Sequence, residues 1–242
     1  MDYQPNKIAY VTGASSGIGE ALVSKLLEEG YYVIGLSRST ISLERNFEHH
    51  AIDLSNIDAV QKFEFKHSAP HVLLVNNAGC IGDIKPIGKN TNSGLLAVSN
   101  LNALAPQLLI NTFLNTYLNK VEEGHILNIS SGAGKYPIDS WAPYCASKAS
   151  LDLFSKTVQE ELNTRSYTNW FVHAIAPGVV DTPMQNEIRS SDPNEFKVLQ
   201  KFIDLKKNGE LSDPNSVAQK LYRVIESPQD FHNVVISVRD FS

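Results

Sequence analysis

The sequence predicts an α/β fold: one domain, residues 1–242, on a doubly wound parallel sheet of about seven strands with helices on both faces. Three observations point to it. Strand-like and helix-like runs alternate along the chain, the pattern of successive βαβ units. The run His71-Val72-Leu73-Leu74-Val75 is apolar beyond its first residue, as suits a strand covered on both faces. A chain of 242 residues, 42% hydrophobic and 19% charged, is also long enough for one well-buried domain and shows no linker, repeat or low-complexity tract.

The first strand, 7–12, carries Ile8-Ala9-Tyr10-Val11-Thr12 and leads into Gly13-Ala14-Ser15-Ser16-Gly17-Ile18-Gly19. A helix over 17–29 follows, with Leu22, Leu26 and Leu27 apolar. Strand, glycine-rich turn and helix together make a phosphate site. The turn lets backbone come close, and the helix N-terminus offers unpaired N–H groups and the positive end of its dipole. The spacing here is G-x-x-x-G-x-G rather than the commoner G-x-G-x-x-G, and glycine-rich turns also precede helices for structural reasons alone.

The second strand, 31–37, runs into Ser37-Arg38-Ser39-Thr40. A carboxylate there would accept a hydrogen bond from the ribose 2′-hydroxyl of NAD. None is present. Arg38 offers a planar fork suited to a 2′-phosphate, and Ser37 and Thr40 add hydroxyl donors, so the expected coenzyme is NADP(H). Further strands are expected at 49–53, 71–76, 124–130, 170–176 and 233–238, and helices at 57–66, 94–118, 142–163 and 213–226. The polar stretch 179–211, with Asp192-Pro193 inside it, reads as a substrate loop.

On the helix 142–163, Tyr144 and Lys148 stand four residues apart and share one face. A phenol ionises near ~10, and an ammonium beside it favours the phenolate; bringing that value near 7 takes roughly 4 kcal/mol. Many helices carry this spacing for exposure alone. Here the companions are present and in order. Thr12-Gly13-x-x-x-Gly17-Ile18-Gly19, Asn76-Asn77-Ala78-Gly79, Ser131, Tyr144-x-x-x-Lys148 and Pro177-Gly178 resemble the signature of the short-chain dehydrogenase/reductase family, over nearly the whole chain. Trp141-x-x-Tyr144-Cys145-Ala146-x-Lys148, Asp181-Thr182-x-Met184-Gln185 and Lys206-x-x-Gly209-x-Leu211 are similar to its sepiapterin reductase and benzil reductase subgroup.

That resemblance implies a Rossmann-type reductase. It implies a catalytic set of Asn102, Ser131, Tyr144 and Lys148, with Ser130 as the competing choice for Ser131. Ser131 and Tyr144 would hold a carbonyl oxygen as it gains charge, Tyr144 would give the proton, and Lys148 would lower its pKa and bind the nicotinamide ribose. Asn102 would hold a water that links Lys148 to solvent. Coenzyme contacts are expected from Gly13, Ser15, Ser16, Gly17, Ile18 and Gly19, then Ser37 and Arg38, and Asp53 and Leu54 beside the adenine. Asn76, Ala78 and Gly79 would follow near the adenine-side ribose, with Asn77 structural. Pro177, Gly178, Val179 and Thr182 would stand at the carboxamide. One departure is Ser16, where many NADP-preferring relatives carry a basic residue. The resemblance also implies a homodimer through the helices 94–118 and 142–163.

The expected reaction is NADPH-dependent reduction of a ketone or diketone, benzil-like or sepiapterin-like. The alternative is a non-catalytic NADP-binding protein that acts as a redox-sensing interaction module. Trp141, Pro137, Met184 and Ile188 either line an apolar substrate pocket or pack the 179–211 segment onto the body. A net charge of −5 gives no reason to expect nucleic acid as a partner. No apolar run approaches the ~20 residues that span a bilayer, so no membrane association is expected. Polar Met1-Asp2-Tyr3-Gln4-Pro5 leaves no room for a signal peptide, Cys80 and Cys145 give no disulfide framework, and a cytoplasmic setting is expected. The seven histidines lack metal-ligand spacing, and no metal is expected.

Overall fold

The computed structural model describes residues 5–43 and 45–241; the N-terminal residues 1–4, read above as polar, lie outside the described residues. Seven strands form one parallel sheet: β1 (Lys7–Thr12), β2 (Tyr32–Ser37), β3 (Phe47–Ala51), β4 (His71–Asn76), β5 (Glu123–Ile129), β6 (Trp170–Ala176) and β7 (Val235–Ser237). Their order is β3-β2-β1-β4-β5-β6-β7, so the chain winds outward from β1 and then reverses to the other side. The crevice at that reversal, beyond the C-terminal ends of β1 and β4, is where such sheets bind ligands.

Alternation along the strands explains the two helical layers. Ala9, Val11, Val33, Leu73, Val75 and Leu127 face one way and pack under α1 (Gly17–Glu28) and α8 (Pro214–Glu226) through Leu22, Leu26, Leu221 and Val224. Ile8, Tyr10, Ile34, Val72, Leu74 and Ile126 face the other way. They meet Leu109, Ile110 and Phe113 of α4 (Ala105–Tyr117) and Val158 and Leu162 of α5 (Ala142–Thr164). Both faces are covered, which is why Ile8–Val11 of β1 and Val72–Val75 of β4 are apolar without a break.

Three expectations shift. The third strand lies at Phe47–Ala51 rather than 49–53, because Val33 of β2 pairs with Phe47 and so on to Ser37 with Ala51. The helix expected at 57–66 stops after Ile57–Gln61 (α2). Beyond it Phe63 and Phe65 leave helical register to place their rings edge-on against Tyr10, at 6.4 and 4.7 Å. The long helix begins at Asn92 (α3, Asn92–Ser99) and reaches α4 through one π-helical turn, Asn100–Leu104. By length and composition alone the stretch Asn92–Tyr117 could cross a membrane, yet Ala105, Leu109, Ile110, Phe113 and Tyr117 are buried against the sheet.

The segment 179–211 is not the irregular loop expected. It contains α6 (Pro183–Arg189) and α7 (Leu199–Lys207), and its ends are joined where Asp181 N–H donates to Ser212 O and Ser212 N–H to Val179 O. Lys206 reaches back to Asp181 at 2.5 Å. The segment's apolar positions converge. Ile188, Phe196, Leu199 and Phe202 form one cluster with Trp141 and Tyr144.

Candidate active site

The glycine turn is shaped by close approaches. Gly13 and Gly17 have φ of +66° and +57°, a region that suits glycine. A Cβ on Gly19 would lie 2.1 Å from the Gly13 carbonyl oxygen. Asn77 ties the turn to β1: its amide donates to Thr12 O at 3.0 Å and Gly13 O at 3.2 Å. Thr12 Oγ1 in turn accepts the backbone N–H groups of Asn77 and Ala78. Asn77 is thus part of the scaffold. Ser16 caps α1 by position, but its side chain makes no capping bond, so the first N–H groups of the helix are left to a ligand. This set fits a dinucleotide pyrophosphate.

The neighbouring segments divide. Arg38 is exposed and in no salt bridge among the described residues, free to meet a phosphate. Ser37 departs from expectation. It is buried, its hydroxyl donates to Ser39 O at 2.9 Å, and it pairs with His49 Nε2 at 2.8 Å, so it serves the protein. Asp53 lies past the end of β3 and accepts from Ser55 N and Oγ, which holds its carboxyl below the usual range. Leu54 is buried in the core, and Asn76 is buried between β4 and β5, donating to Asn128 Oδ1 at 2.8 Å. Asn76 thus supports the central sheet, and the Leu54 side chain packs into the core. Ser15, Ile18, Ala78, Gly79 and Val179 are half-buried around the crevice. Pro177 is buried, and Gly178 turns with φ +80°. Thr182 closes over the glycine turn: a Cβ on Gly17 would sit 3.0 Å from its Cγ2.

At the C-terminal end of β5 the proposed catalytic residues converge. Helix α5 opens with Pro143 in its first turn and carries Tyr144 and Lys148 inward, only 7% and 5% exposed. Lys148 Nζ donates to Ile129 O at 2.8 Å and lies 5.8 Å from the centre of the Tyr144 ring. Ser131 caps the short turn Gly132–Gly134, accepting from Ala133 N, and its hydroxyl also interacts with the Tyr144 phenol. The competing Ser130 turns away and donates to Asp152. Ser131, not Ser130, is thus the serine that meets Tyr144.

Asn102 sits in the π-helical turn, a feature that often marks functional sites. Its amide donates to Cys80 O at 2.8 Å and Ser147 Oγ at 3.2 Å, and its Oδ1 accepts Cys80 N–H at 2.9 Å. The side chain therefore ties the Gly79-Cys80 turn to α5.

Burial sets the electrostatics of this pair. Burial pushes the Tyr144 phenol up to about 12, against the hydrogen bond with Ser131. Burial brings Lys148 down to about 8, against the charge of Asp152. Desolvation is the largest influence on this phenol. Trp141 meets Tyr144 edge-on at 5.6 Å and stacks on Phe196 at the same distance, so it packs α6–α7 onto the body. Ile188 is buried in this cluster and Met184 packs against it, whereas Pro137 is exposed. Asp240 is engaged locally by Ser237 N–H at 2.8 Å.

The short chain dehydrogenase family model matches residues 7–193. The chain belongs to that family. It is 34% identical to benzil reductase ((S)-benzoin forming) of Bacillus cereus, over 94% of this chain and 97% of that protein. It is 35% identical to the Bacillus subtilis enzyme of the same name, over 89% and 92%. Among solved structures it resembles 4-hydroxyisoleucine dehydrogenase complexed with NADH, with a TM-score of 0.78, 26% identity and 96% of each chain covered. As a member of this family the protein is an oxidoreductase.

Sequence reasoning missed Phe196 and Phe202 as partners of Trp141, and missed Asp152. The last had a readable signal: it stands four residues after Lys148, on the same helix face.

Proposed function

We propose that this protein is an NADPH-dependent carbonyl reductase acting on a ketone or diketone of the benzil type, with Tyr144 as general acid. The observation that carries the reading is the meeting of half-buried Ser131 with buried Tyr144, Lys148 and Asn102 at the C-terminal end of β5. When bound, the dinucleotide supplies the hydride. Ser131 and Tyr144 hold the substrate oxygen as it becomes an alkoxide. A phenol kept neutral by burial gives its proton readily to that stronger base. Lys148, anchored on Ile129 O, presents its positive charge to the phenolate left behind. Asn102 fixes the turn that approaches Lys148, since a Cβ on Gly79 would be 3.8 Å from Nζ. The two Bacillus relatives support a diketone. The segment 179–211, with α6 and α7, forms the substrate side of the cleft.

The choice of NADPH rests on Arg38, because a family member also binds NADH. Benzil reduction is expected to favour NADPH over NADH by at least about tenfold in kcat/KM, the effect of one charge-assisted phosphate contact of 1.5–3 kcal/mol. Arg38→Ala is expected to erase most of that preference. Equal rates with both coenzymes in the unaltered protein would contradict the assignment.

We also read the protein as a cytoplasmic homodimer; two free cysteines fit a reducing compartment. Leu96 on α3 and Leu153 on α5 are 63% and 67% exposed, and Ile87 beside them 65%. Such apolar exposure along α3 and α5 suits a partner subunit. Sedimentation at micromolar concentration is expected to give twice the 26.7 kDa chain mass, and Leu153→Asp to shift it toward monomer. A monomer in the unaltered protein would rule the pairing out.

A further inference from the structure

The reductase reading leaves one buried acid without a role. Asp152 is 7% exposed on α5, one helical turn beyond Lys148, and accepts a hydrogen bond from the Ser130 hydroxyl. Ser130 is the residue before Ser131 and is itself 3% exposed. The turn between them and α5 is fitted around the carboxylate. A Cβ on Gly134 would lie 2.8 Å from Asp152 Oδ2 and 3.1 Å from the Lys148 carbonyl carbon. An acid taken out of water in this way is retained only where hydrogen bonds and opposite charge compensate for it.

We propose that Asp152 is a positioning residue of the reductase centre: clamped by Ser130, it fixes the strand end that carries Ser131 against α5 and sets a negative charge one helical turn from Lys148. Two functions thus meet in one side chain. The hydrogen bond couples the serine side of the site to the helix that bears Tyr144. The charge keeps Lys148 in its ammonium form, which burial opposes.

The groups around the pair come from several elements. Lys148 is faced by Tyr144 and Asp152 on α5 and by Cys80 from the turn after β4. Asp152 is faced by Ser130, by Lys135 after the Gly132–Gly134 turn, and by Lys148 and Lys156 on α5. Burial raises the Asp152 carboxyl, and Ser130 and the three ammonium groups pull it back. For Lys148 burial weighs most, then Asp152, then Cys80, so the carboxylate is its principal charged support. Removing that charge lowers the Lys148 pKa, and the ammonium is then lost at a lower pH.

This inference rests on the reductase reading for its catalytic meaning, so the test has an arm that needs no substrate. Lys148 Cε would be followed by NMR across pH in the protein labelled with ¹³C-lysine, with its signal assigned through Lys148→Arg. In Asp152→Asn, which still accepts from Ser130, the titration midpoint is expected to fall by half a unit or more. The alkaline limb of kcat for benzil should move down with it, and Asp152→Glu should restore both in part. An unmoved Lys148 midpoint in a folded Asp152→Asn protein would overturn the proposal, whatever the activity. Absence of any carbonyl reduction in the unaltered protein, with the Lys148 midpoint still shifted by Asp152→Asn, would instead overturn the reductase reading. Should Asp152→Asn fail to fold, Ser130→Ala tests the clamp. A tenfold lower kcat with unchanged coenzyme binding supports the proposal, and an unaltered kcat contradicts it.

Discussion

Tyr144→Phe is expected to lower kcat for carbonyl reduction by about 10²–10⁴-fold, the usual contribution of a positioned general acid. The substitution removes one oxygen and keeps the ring, which packs edge-on against Trp141 at 5.6 Å. Coenzyme binding and thermal stability should therefore stay near those of the unaltered protein. Because the lost interaction serves the transition state, the fall should appear in kcat more than in KM. Steady-state kinetics together with a coenzyme titration check this. A variant that kept its rate would show that the proton comes from elsewhere.

Gly19→Ala should have the second-largest effect. A Cβ there would stand 2.1 Å from the Gly13 carbonyl oxygen and 2.4 Å from Asn77 Nδ2. Neither neighbour is free to yield. Gly13 N–H is bonded to Leu36 O at 2.8 Å, and the Asn77 amide spans Thr12 O and Gly13 O. The expected outcome is a loss of stability at the upper end of, or beyond, the ~1–3 kcal/mol of ordinary overpacking. NADPH affinity should fall with it, because the displaced backbone is the proposed pyrophosphate cradle. Denaturant unfolding and a coenzyme titration measure both; a stable variant that binds as before would mean that the turn is not that cradle.

The sequence made the sheet legible because its strands are buried on both faces, and unbroken apolar runs such as Val72–Val75 leave little choice of environment. Tyr144 and Lys148 were legible for a different reason: helical spacing places them on one face wherever the helix lies. What stayed hidden depended on contacts distant in sequence. Phe63 and Phe65 fit a helical pattern, but rings from β1 and α4 draw them out of it. The residues 179–211 lack a long apolar period, so α6 and α7 appear only once Trp141 supplies a surface for Phe196 and Phe202. Ser37 looked like a phosphate donor from its place after β2, and only the pairing of β2 with β3 brings His49 to its hydroxyl.

The most direct test of the account is incubation of the unaltered protein with benzil and NADPH, following coenzyme oxidation and benzoin formation together. The account predicts stoichiometric appearance of both, with neither above background in the Tyr144→Phe protein. NADPH bound tightly but no benzoin formed, with either protein, would contradict benzil reduction and favour a coenzyme-binding protein without this chemistry.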